Sequence, residues 1–229
     1  MRSPFEQSIS KCASLLTKLD YLLQAGTLSS LRPTDSFKKA ARKAATYREV
    51  YELGASSQQF NLMMQDMSFF QFSEAEQGKE ARLAYYPNPY HYLEYKSHKV
   101  TAQQLLDEGE INFDEFEQLI SEADFTCDIP FIRYDLSLKQ YCEVLHPAAH
   151  LHIGFHAENR WPARRLLTPY AFMLKVLMHY YSKLWVKGKG IDMEVHQMLD
   201  DAYRAEVSNC DLLDDCYFKP HETERLYIV

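Results

Sequence analysis

Apolar residues recur at helical spacing near both ends of the chain and alternate with polar residues in its middle. Residues 4 to 24 place apolar side chains on one helical face, which predicts a first helix that stops near Gly26. The same period predicts a second helix from Asp35 to Leu53, followed by Gly54. The N-terminal region is therefore expected to be helical.

The middle of the chain shows the period of two that is typical of strands. A turn is predicted near residues 74–78, and Asn88-Pro89 ends the strand that follows this turn. A short helix is expected near residues 112–122. The predicted strands comprise an alternating stretch at 60–72, then Arg82–Tyr86, Ile129–Leu136, Gln140–Leu145 and His150–Phe155.

The C-terminal part returns to helical spacing. Thr168-Pro169 begins a long helix with proline at its first position, and an apolar stripe from Phe172 to Trp185 predicts that this helix is buried. A last helix is expected over about Asp192 to Val207. The sequence thus predicts an α+β fold, an antiparallel β-sheet core with N-terminal helices and a long buried C-terminal helix.

A length of 229 residues fits a single domain spanning 1–229. We divide it into a helical region at 1–55, a β-rich core at 58–160 and a helical C-terminal region and tail at 168–229. The net charge of −7 excludes a generally basic nucleic-acid-binding protein but allows a local basic patch. Five cysteines without a Cys-x-x-Cys pair, and no long apolar run, predict a reduced cytoplasmic protein that does not contact the membrane.

Histidines are concentrated in one predicted strand, where His146, His150, His152 and His156 fall within eleven residues. Because side chains alternate along a strand, Leu151, Ile153 and Phe155 are expected to face the core. His150, His152 and His156 then share the other face, and Gly154 between them leaves room for a ligand.

The neighbouring strand predicts a partner set for these histidines. Arg133 and Asp135 alternate with core residues, so an antiparallel sheet can place them beside His150 and His152. Such a set supplies an acid/base imidazole, a carboxylate that orients it and a cation that binds an anionic group.

Two basic segments are candidates for phosphate or nucleic-acid contacts. One precedes the C-terminal helix and contains Arg160, Arg164 and Arg165. The other is the basic face of the second helix, whose alternative interpretation is a solvated helix surface. Its candidate residues are Lys38, Lys39 and Arg42.

Three interpretations of the histidine strand stay open. His150 and His152 could bind a metal with Glu158 as a third ligand, although the spacing departs from the common pattern. They could instead perform metal-free acid/base chemistry on a phosphodiester, with Asp135, Arg133 and Arg160 in supporting roles. They could also be structural groups or part of a protein interface. No complete metal-ligand set is evident, so we expect neither a metal nor a cofactor.

The chain resembles a bacterial family of unknown function, the family numbered 2290. The resemblance rests on residues 146–154 (His-Pro-Ala-Ala-His-Leu-His-Ile-Gly), the Arg160-Trp161-Pro162 step, residues 167–172 (Leu-Thr-Pro-Tyr-Ala-Phe) and Tyr86-Pro87-Asn88-Pro89. It covers most of the chain and implies kinship of fold without an established activity. It also implies that threonine is common at the position of His152, which favours His150 as the functional histidine.

A second, local similarity is to TumE-like toxins of toxin–antitoxin systems. Arg133-Tyr134-Asp135 followed by a histidine-rich strand carries it over about 30 residues. Together the two resemblances imply a prokaryotic defence setting. One hypothesis is therefore a subunit or regulatory component of a multi-protein defence system. The alternative is a metal-independent, RNase-like or phosphoesterase effector that uses the histidine strand.

Overall fold

The centre of the molecule is one seven-stranded sheet in which every strand pairs antiparallel with the next in sequence. The computed structural model describes residues 2–90, 92–122, 129–155, 158–181, 184 and 193–226. The strands are β1 Leu22–Ala25, β2 Leu62–Met64, β3 Phe69–Glu76, β4 Glu80–Tyr86, β5 Ile132–Ser137, β6 Ala149–Ile153 and β7 Trp161–Pro162.

Helices precede, interrupt and follow this sheet, so the prediction of an α+β fold is confirmed. They are α1 Pro4–Lys18, α2 Asp35–Lys43, α3 Tyr47–Ser56, α4 Tyr92–Asp107, α5 Phe113–Glu122, α6 Pro169–Tyr180, α7 Met193–Asn209 and α8 Pro220–Leu226. Within the described ranges, no helix has both the length and the apolar character that a bilayer crossing requires.

One face of the sheet packs against α1 and α6 and forms the larger core. Leu83, Tyr85 and Tyr134 project from β4 and β5 into this core and are fully buried. Phe172 and Leu177 of α6 belong to the same cluster. Thr168 caps α6 by accepting a hydrogen bond from the Ala171 N–H. The predicted helix start and the burial of α6 are therefore confirmed.

The opposite face is apolar only in part, where α2 and α3 cover it. Phe69 and Tyr86 stack with ring centroids 4.7 Å apart, and Phe131 lies 4.7 Å from Tyr86 on the other side. Phe37 of α2 adds its ring to this cluster. Beyond these rings, the same face of β4, β5 and β6 carries charged and histidine side chains, which form the candidate site.

The first helix is shorter than predicted. It ends at Lys18, Asp20 adopts a positive φ of 53°, and Leu22–Ala25 then forms β1 instead of continuing the helix. Helical spacing extended to residue 24 because Leu22 and Leu23 continue the apolar period. Pairing with β2 decides the outcome, since it satisfies the backbone groups that a longer helix would have satisfied internally.

The predicted helix from Asp35 to Leu53 is two helices. Ala44 adopts extended backbone angles, and Thr46 then caps α3. The Glu49 N–H donates to Thr46 Oγ1, and the Thr46 hydroxyl donates to the Glu49 carboxylate. This local pair of hydrogen bonds restarts the chain in a new direction.

The prediction of a strand over Gln140–Leu145 is wrong. Residues Leu138–Gln140 form one turn of 3₁₀ helix, and the chain then makes a tight hairpin between Cys142 and His146. The 16-residue helix α4 is an element that the sequence analysis did not predict. His156, Trp185 and Asp192, which entered the predictions above, lie outside the described residues.

Candidate active site

The register of the sheet aligns the candidate residues on one face. Arg82 of β4 pairs with Asp135 of β5, which in turn pairs with His150 of β6. Two residues away on each strand, Arg133 of β5 pairs with His152 of β6. Arg133, Asp135, His150 and His152 therefore share one surface, which is the arrangement that alternation predicts.

Asp135 is the electrostatic centre of this surface. Its Oδ1 accepts a hydrogen bond from Arg82 Nε at 2.9 Å, and its Oδ2 accepts one from Arg133 Nε at 2.8 Å. Burial alone would raise the pKa of Asp135, but the charges of Arg82 and Arg133 outweigh burial and lower it. Asp135 is therefore an ionised carboxylate that holds two guanidinium groups in place.

The two histidines form a directed hydrogen-bond pair. His150 Nδ1 lies 2.9 Å from the Pro147 carbonyl oxygen, and His150 Nε2 lies 3.0 Å from His152 Nε2. Because a carbonyl oxygen only accepts, His150 Nδ1 carries the proton that it donates. Burial, and then the neighbouring His152, lowers the pKa of His150 to about 4, so this imidazole is neutral near pH 7.

This assignment fixes the role of each imidazole. Neutral His150 offers the lone pair of Nε2, so His152 Nε2–H is the donor between the two rings. The same His152 nitrogen lies 3.5 Å from Asp135 Oδ2. His150 and Asp135 together orient His152, as orienting partners do for an acid/base histidine.

A pocket of about 380 Å³ opens beside His152. Five of its lining residues are cationic and one is a carboxylate. Arg160, which lies on the segment between β6 and β7, joins the site here, whereas His150 is 1% exposed and does not line the pocket. The charged and polar side chains at the wall are Lys38, Arg42, Arg82, Arg133, Arg160, His152, Glu158 and Gln71, and the aromatic ones are Phe37, Tyr86, Phe131 and Phe155.

A second groove of about 550 Å³ continues this pocket along the sheet. The two share Pro33, Lys38, Arg42 and Arg82 in their walls. Asp135 lines the second groove, while His152 lines the first. The site is therefore a channel under α2 that is basic beside His152. In the second groove, Glu74, Glu80 and Asp135 offset most of the charge of its four cationic side chains.

The remaining predicted cations do not join the channel. Arg164 donates to Asp215 Oδ1 at 3.1 Å and lies over the Phe218 ring, and Arg165 donates to the Cys210 carbonyl oxygen at 3.0 Å. Both arginines thus fasten the C-terminal segment. Lys39 is exposed on α2, outside the residues that line the two grooves.

A metal-ligand set can also be drawn on this surface. One ligand atom from each of Asp135, His150 and His152 lies within 4.8 Å of the other two. Both oxygens of Asp135 already accept from Arg82 and Arg133, and two guanidinium groups next to a cation would repel it. The site is therefore better suited to an anionic ligand than to a metal ion.

Sequence reasoning overlooked several residues of this site. Arg82 lies in a predicted strand, and its alternation with Leu83 and Tyr85 already places it on the polar face. No sequence pattern predicts the aromatic wall, because α2 and the segment after β6 bring Phe37 and Phe155 to the pocket from distant parts of the chain. His150 was predicted to be the reacting histidine, but the structure places His152 at the pocket and His150 behind it.

Comparison with known proteins assigns the chain to a family. A family model described as an uncharacterized conserved protein, DUF2290, matches residues 24–226. The chain belongs to this family. No curated protein and no solved structure matches it. Membership of DUF2290 confirms the resemblance noted in the sequence and carries no activity with it, while the local similarity to TumE-like toxins stays a prediction.

Proposed function

We propose that this protein is a metal-independent, RNase-like phosphodiesterase that acts on single-stranded RNA. The observation that carries the proposal is the position of His152. Its imidazole is oriented by His150 and Asp135 and lines a pocket whose wall contains five cationic side chains. An acid/base group beside several fixed cations suits the transfer of a charged phosphoryl group.

The shape and composition of the channel favour a polynucleotide over a small phosphate ester. Two adjoining grooves share Lys38, Arg42 and Arg82, so a ligand several nucleotides long can follow them. Aromatic rings at the wall, such as Phe37 and Phe155, suit the stacking of unpaired bases. The net charge of −7 makes this local concentration of cations distinctive.

The proposed reaction is an internal transesterification. The 2′ oxygen of a ribose forms a bond to the adjacent phosphorus while the bond from phosphorus to the 5′ oxygen breaks. His152 takes the proton of the 2′ hydroxyl on Nδ1, because its Nε2 already carries the proton donated to His150, and the departing 5′ oxygen takes a proton from solvent. Arg82, Arg133 and Arg160 stabilise the charge that develops on the phosphorane oxygens. The products are a 2′,3′-cyclic phosphate and a 5′ hydroxyl.

Cleavage of a fluorescently labelled RNA oligonucleotide, without added divalent ions, tests the proposal. The wild-type protein should cut the RNA, leave a cyclic phosphate and spare a DNA oligonucleotide of the same sequence, which lacks the 2′ hydroxyl. His152→Gln should lower the cleavage rate by about 10²–10⁴-fold, the usual contribution of a positioned acid/base group.

The matched control is His179→Gln, because His179 is exposed at the end of α6 and does not line the channel. This variant should cut RNA at the wild-type rate. Equal cleavage of RNA and DNA, an unchanged rate in His152→Gln, or RNA that is bound but left intact by the wild-type protein would each refute the proposed activity.

We propose as a second candidate that the chain is a subunit or regulatory component of a multi-protein assembly. Apolar side chains exposed on the hairpin after β5 favour it, since Val144 is 51% and Leu145 is 73% exposed. Co-purification with the products of neighbouring genes tests this proposal, and Leu145→Lys should reduce it without changing the melting temperature. The prokaryotic defence setting and the cytoplasmic location stay predictions.

A further inference from the structure

A second group of histidines and cysteines lies next to the candidate active site. Within the hairpin after β5, the Cys142 N–H donates to the His146 carbonyl at 2.9 Å, and the His146 N–H donates to the Cys142 carbonyl at 2.8 Å. Val144 at the turn has a positive φ of 73°. Directly paired residues of an antiparallel bridge project from the same side, so Cys142 and His146 form one pair of potential ligands.

The segment before and within α8 contributes a second pair. Cys216 lies in a turn that precedes α8, and His221 lies in the first turn of that helix. The Tyr141 and Tyr217 rings meet edge to face at 5.5 Å, and Glu143 Oε1 lies 3.9 Å from His221 Nδ1. These contacts bring the C-terminal segment against the hairpin.

Polar atoms without partners are concentrated at this contact. Five buried side-chain polar atoms among the described residues have no hydrogen-bond partner, and four of them lie here. Buried polar atoms are normally paired, so such a concentration requires a cause. The four are Tyr141 OH, His146 Nδ1, His221 Nε2 and Glu222 Oε1. Glu222 is only 1% exposed.

The cysteines lie in the same neighbourhood. Both Cys142 and Cys216 are free thiols at the protein surface. Cys142 directly follows Tyr141 and Cys216 directly precedes Tyr217, the two residues whose rings are in contact.

We propose that Cys142, His146, Cys216 and His221 bind a structural zinc ion. The sequence supplies them as two half-sites, Cys-x₃-His in the hairpin and Cys-x₄-His at α8. Two thiolates and two imidazoles form a preferred tetrahedral zinc set, and binding releases the two thiol protons. Zinc would pair the unpartnered nitrogens of both histidines. Glu143 beside His221 Nδ1 suits the carboxylate that commonly orients a zinc-bound histidine and leaves Nε2 for the metal.

Binding requires one local change. Among the described residues, only Asp135, His150 and His152 already have ligand atoms within 4.8 Å of one another. The exposed cysteine side chains must therefore rotate towards the two imidazoles. The site would fasten the C-terminal segment to the hairpin after β5. It would also support the active site from behind, because the His146 ring lies 4.9 Å from the His150 ring. This proposal is independent of RNA cleavage.

Elemental analysis of the full chain, purified without chelators, tests the zinc site. Wild-type protein should contain about one zinc ion per chain, and Cys142→Ser, Cys216→Ser and His221→Ala should each lose most of it and melt at a lower temperature. His221→Cys should retain zinc, since thiolate replaces imidazole in structural sites. This rescue separates loss of a ligand from loss of folding, which circular dichroism monitors for each variant.

The matched controls are His152→Gln, which removes a member of the alternative metal-ligand set, and Cys210→Ser, which removes a cysteine outside the proposed site. Both should retain zinc. Cobalt-substituted wild-type protein should show sulfur-to-metal charge-transfer absorption that Cys142→Ser weakens. Wild-type protein without bound zinc after refolding with zinc would overturn the proposal. Zinc that is lost in His152→Gln but retained in Cys216→Ser would also overturn it.

Discussion

The two faces of the sheet at β4, β5 and β6 come from the same three strands but differ in polarity and burial. Leu83, Tyr85 and Tyr134 on one face are fully buried against α1 and α6. Their immediate neighbours Arg82 and Asp135 on the other face form an ion pair that lines the channel under α2. Because side chains alternate along a strand, residues of the core and residues of the channel are adjacent in sequence.

The faces also differ in how each side chain is stabilised. On the apolar face, removal of a side chain forfeits contacts and leaves a cavity. On the polar face, Asp135 compensates two arginines, so its removal leaves the half-buried Arg133 beside Arg82 without a counter-charge. The comparison predicts that substitutions on the apolar side act through unfolding, whereas those at the channel act through binding, protonation and rate.

The largest effect on stability is expected at Leu177 of α6, which is 1% exposed in the larger core. Leu177→Ala should lower the free energy of unfolding by roughly 2–5 kcal/mol, because it removes buried methyl groups and leaves a cavity. Urea denaturation monitored by circular dichroism measures this change. The matched control is Leu212→Ala, since Leu212 is 50% exposed, and it should change stability by less than about 0.5 kcal/mol. Equal losses in both variants would contradict the assignment of the core.

A smaller decrease in the free energy of unfolding is expected at acidic pH, and it should come from residues on the polar face. The pKa of His150 is lowered from 6.5 to about 4 in the folded protein, so the unfolded chain binds more protons between these values. Stability should be fully present above pH 6.5 and fall by about 3 kcal/mol as the pH decreases towards 4. The lowered pKa of Asp135 adds its own loss only below its ordinary value of 3.8.

Denaturation curves across this pH range test the assignment to His150. His150→Gln should flatten the pH dependence of the unfolding free energy between pH 6.5 and 4, because the titrating group is gone. Burial, and then Lys175, also lowers the pKa of the more exposed His179, so His179→Gln should remove only a smaller part of the wild-type slope. A wild-type slope that survives in His150→Gln would show that another group titrates there.

Much of the candidate site follows from periodicity, because a period of two assigns each residue of a strand to a face. Arg133, Asp135, His150 and His152 could be grouped in this way before their distances were known. Periodicity could not rank the two histidines, since His150 is enclosed by contacts with Pro147 and the His146 ring that alternation along the strand does not predict. It also could not predict the roof of the channel, which α2 supplies from more than 100 residues upstream of β6.

Two mispredicted elements depart from the local apolar pattern for different reasons. Leu22–Ala25 pairs with β2, which satisfies the backbone groups that the predicted helix would have satisfied internally. Cys142 instead pairs with His146 within the same segment, so a tight hairpin replaces the predicted strand. The break between α2 and α3 could have been predicted from the sequence, since Thr46 and Glu49 have the spacing of a helix cap.

The smallest expected effect distinguishes channel cations from cations that only hold the structure together. Arg42 lines both grooves, whereas Arg164 is engaged by Asp215 and Phe218 outside them. Each phosphate contact to a single strand contributes about 0.7 to the slope of the logarithm of the RNA association constant against the logarithm of salt concentration. Arg42→Ala should therefore weaken RNA binding modestly and reduce this slope by about 0.7, whereas Arg164→Ala should leave it unchanged. Fluorescence anisotropy at several salt concentrations measures both slopes with the inactive His152→Gln protein as background, so that RNA remains intact. Equal slopes in the two variants would mean that the channel under α2 does not bind the RNA backbone.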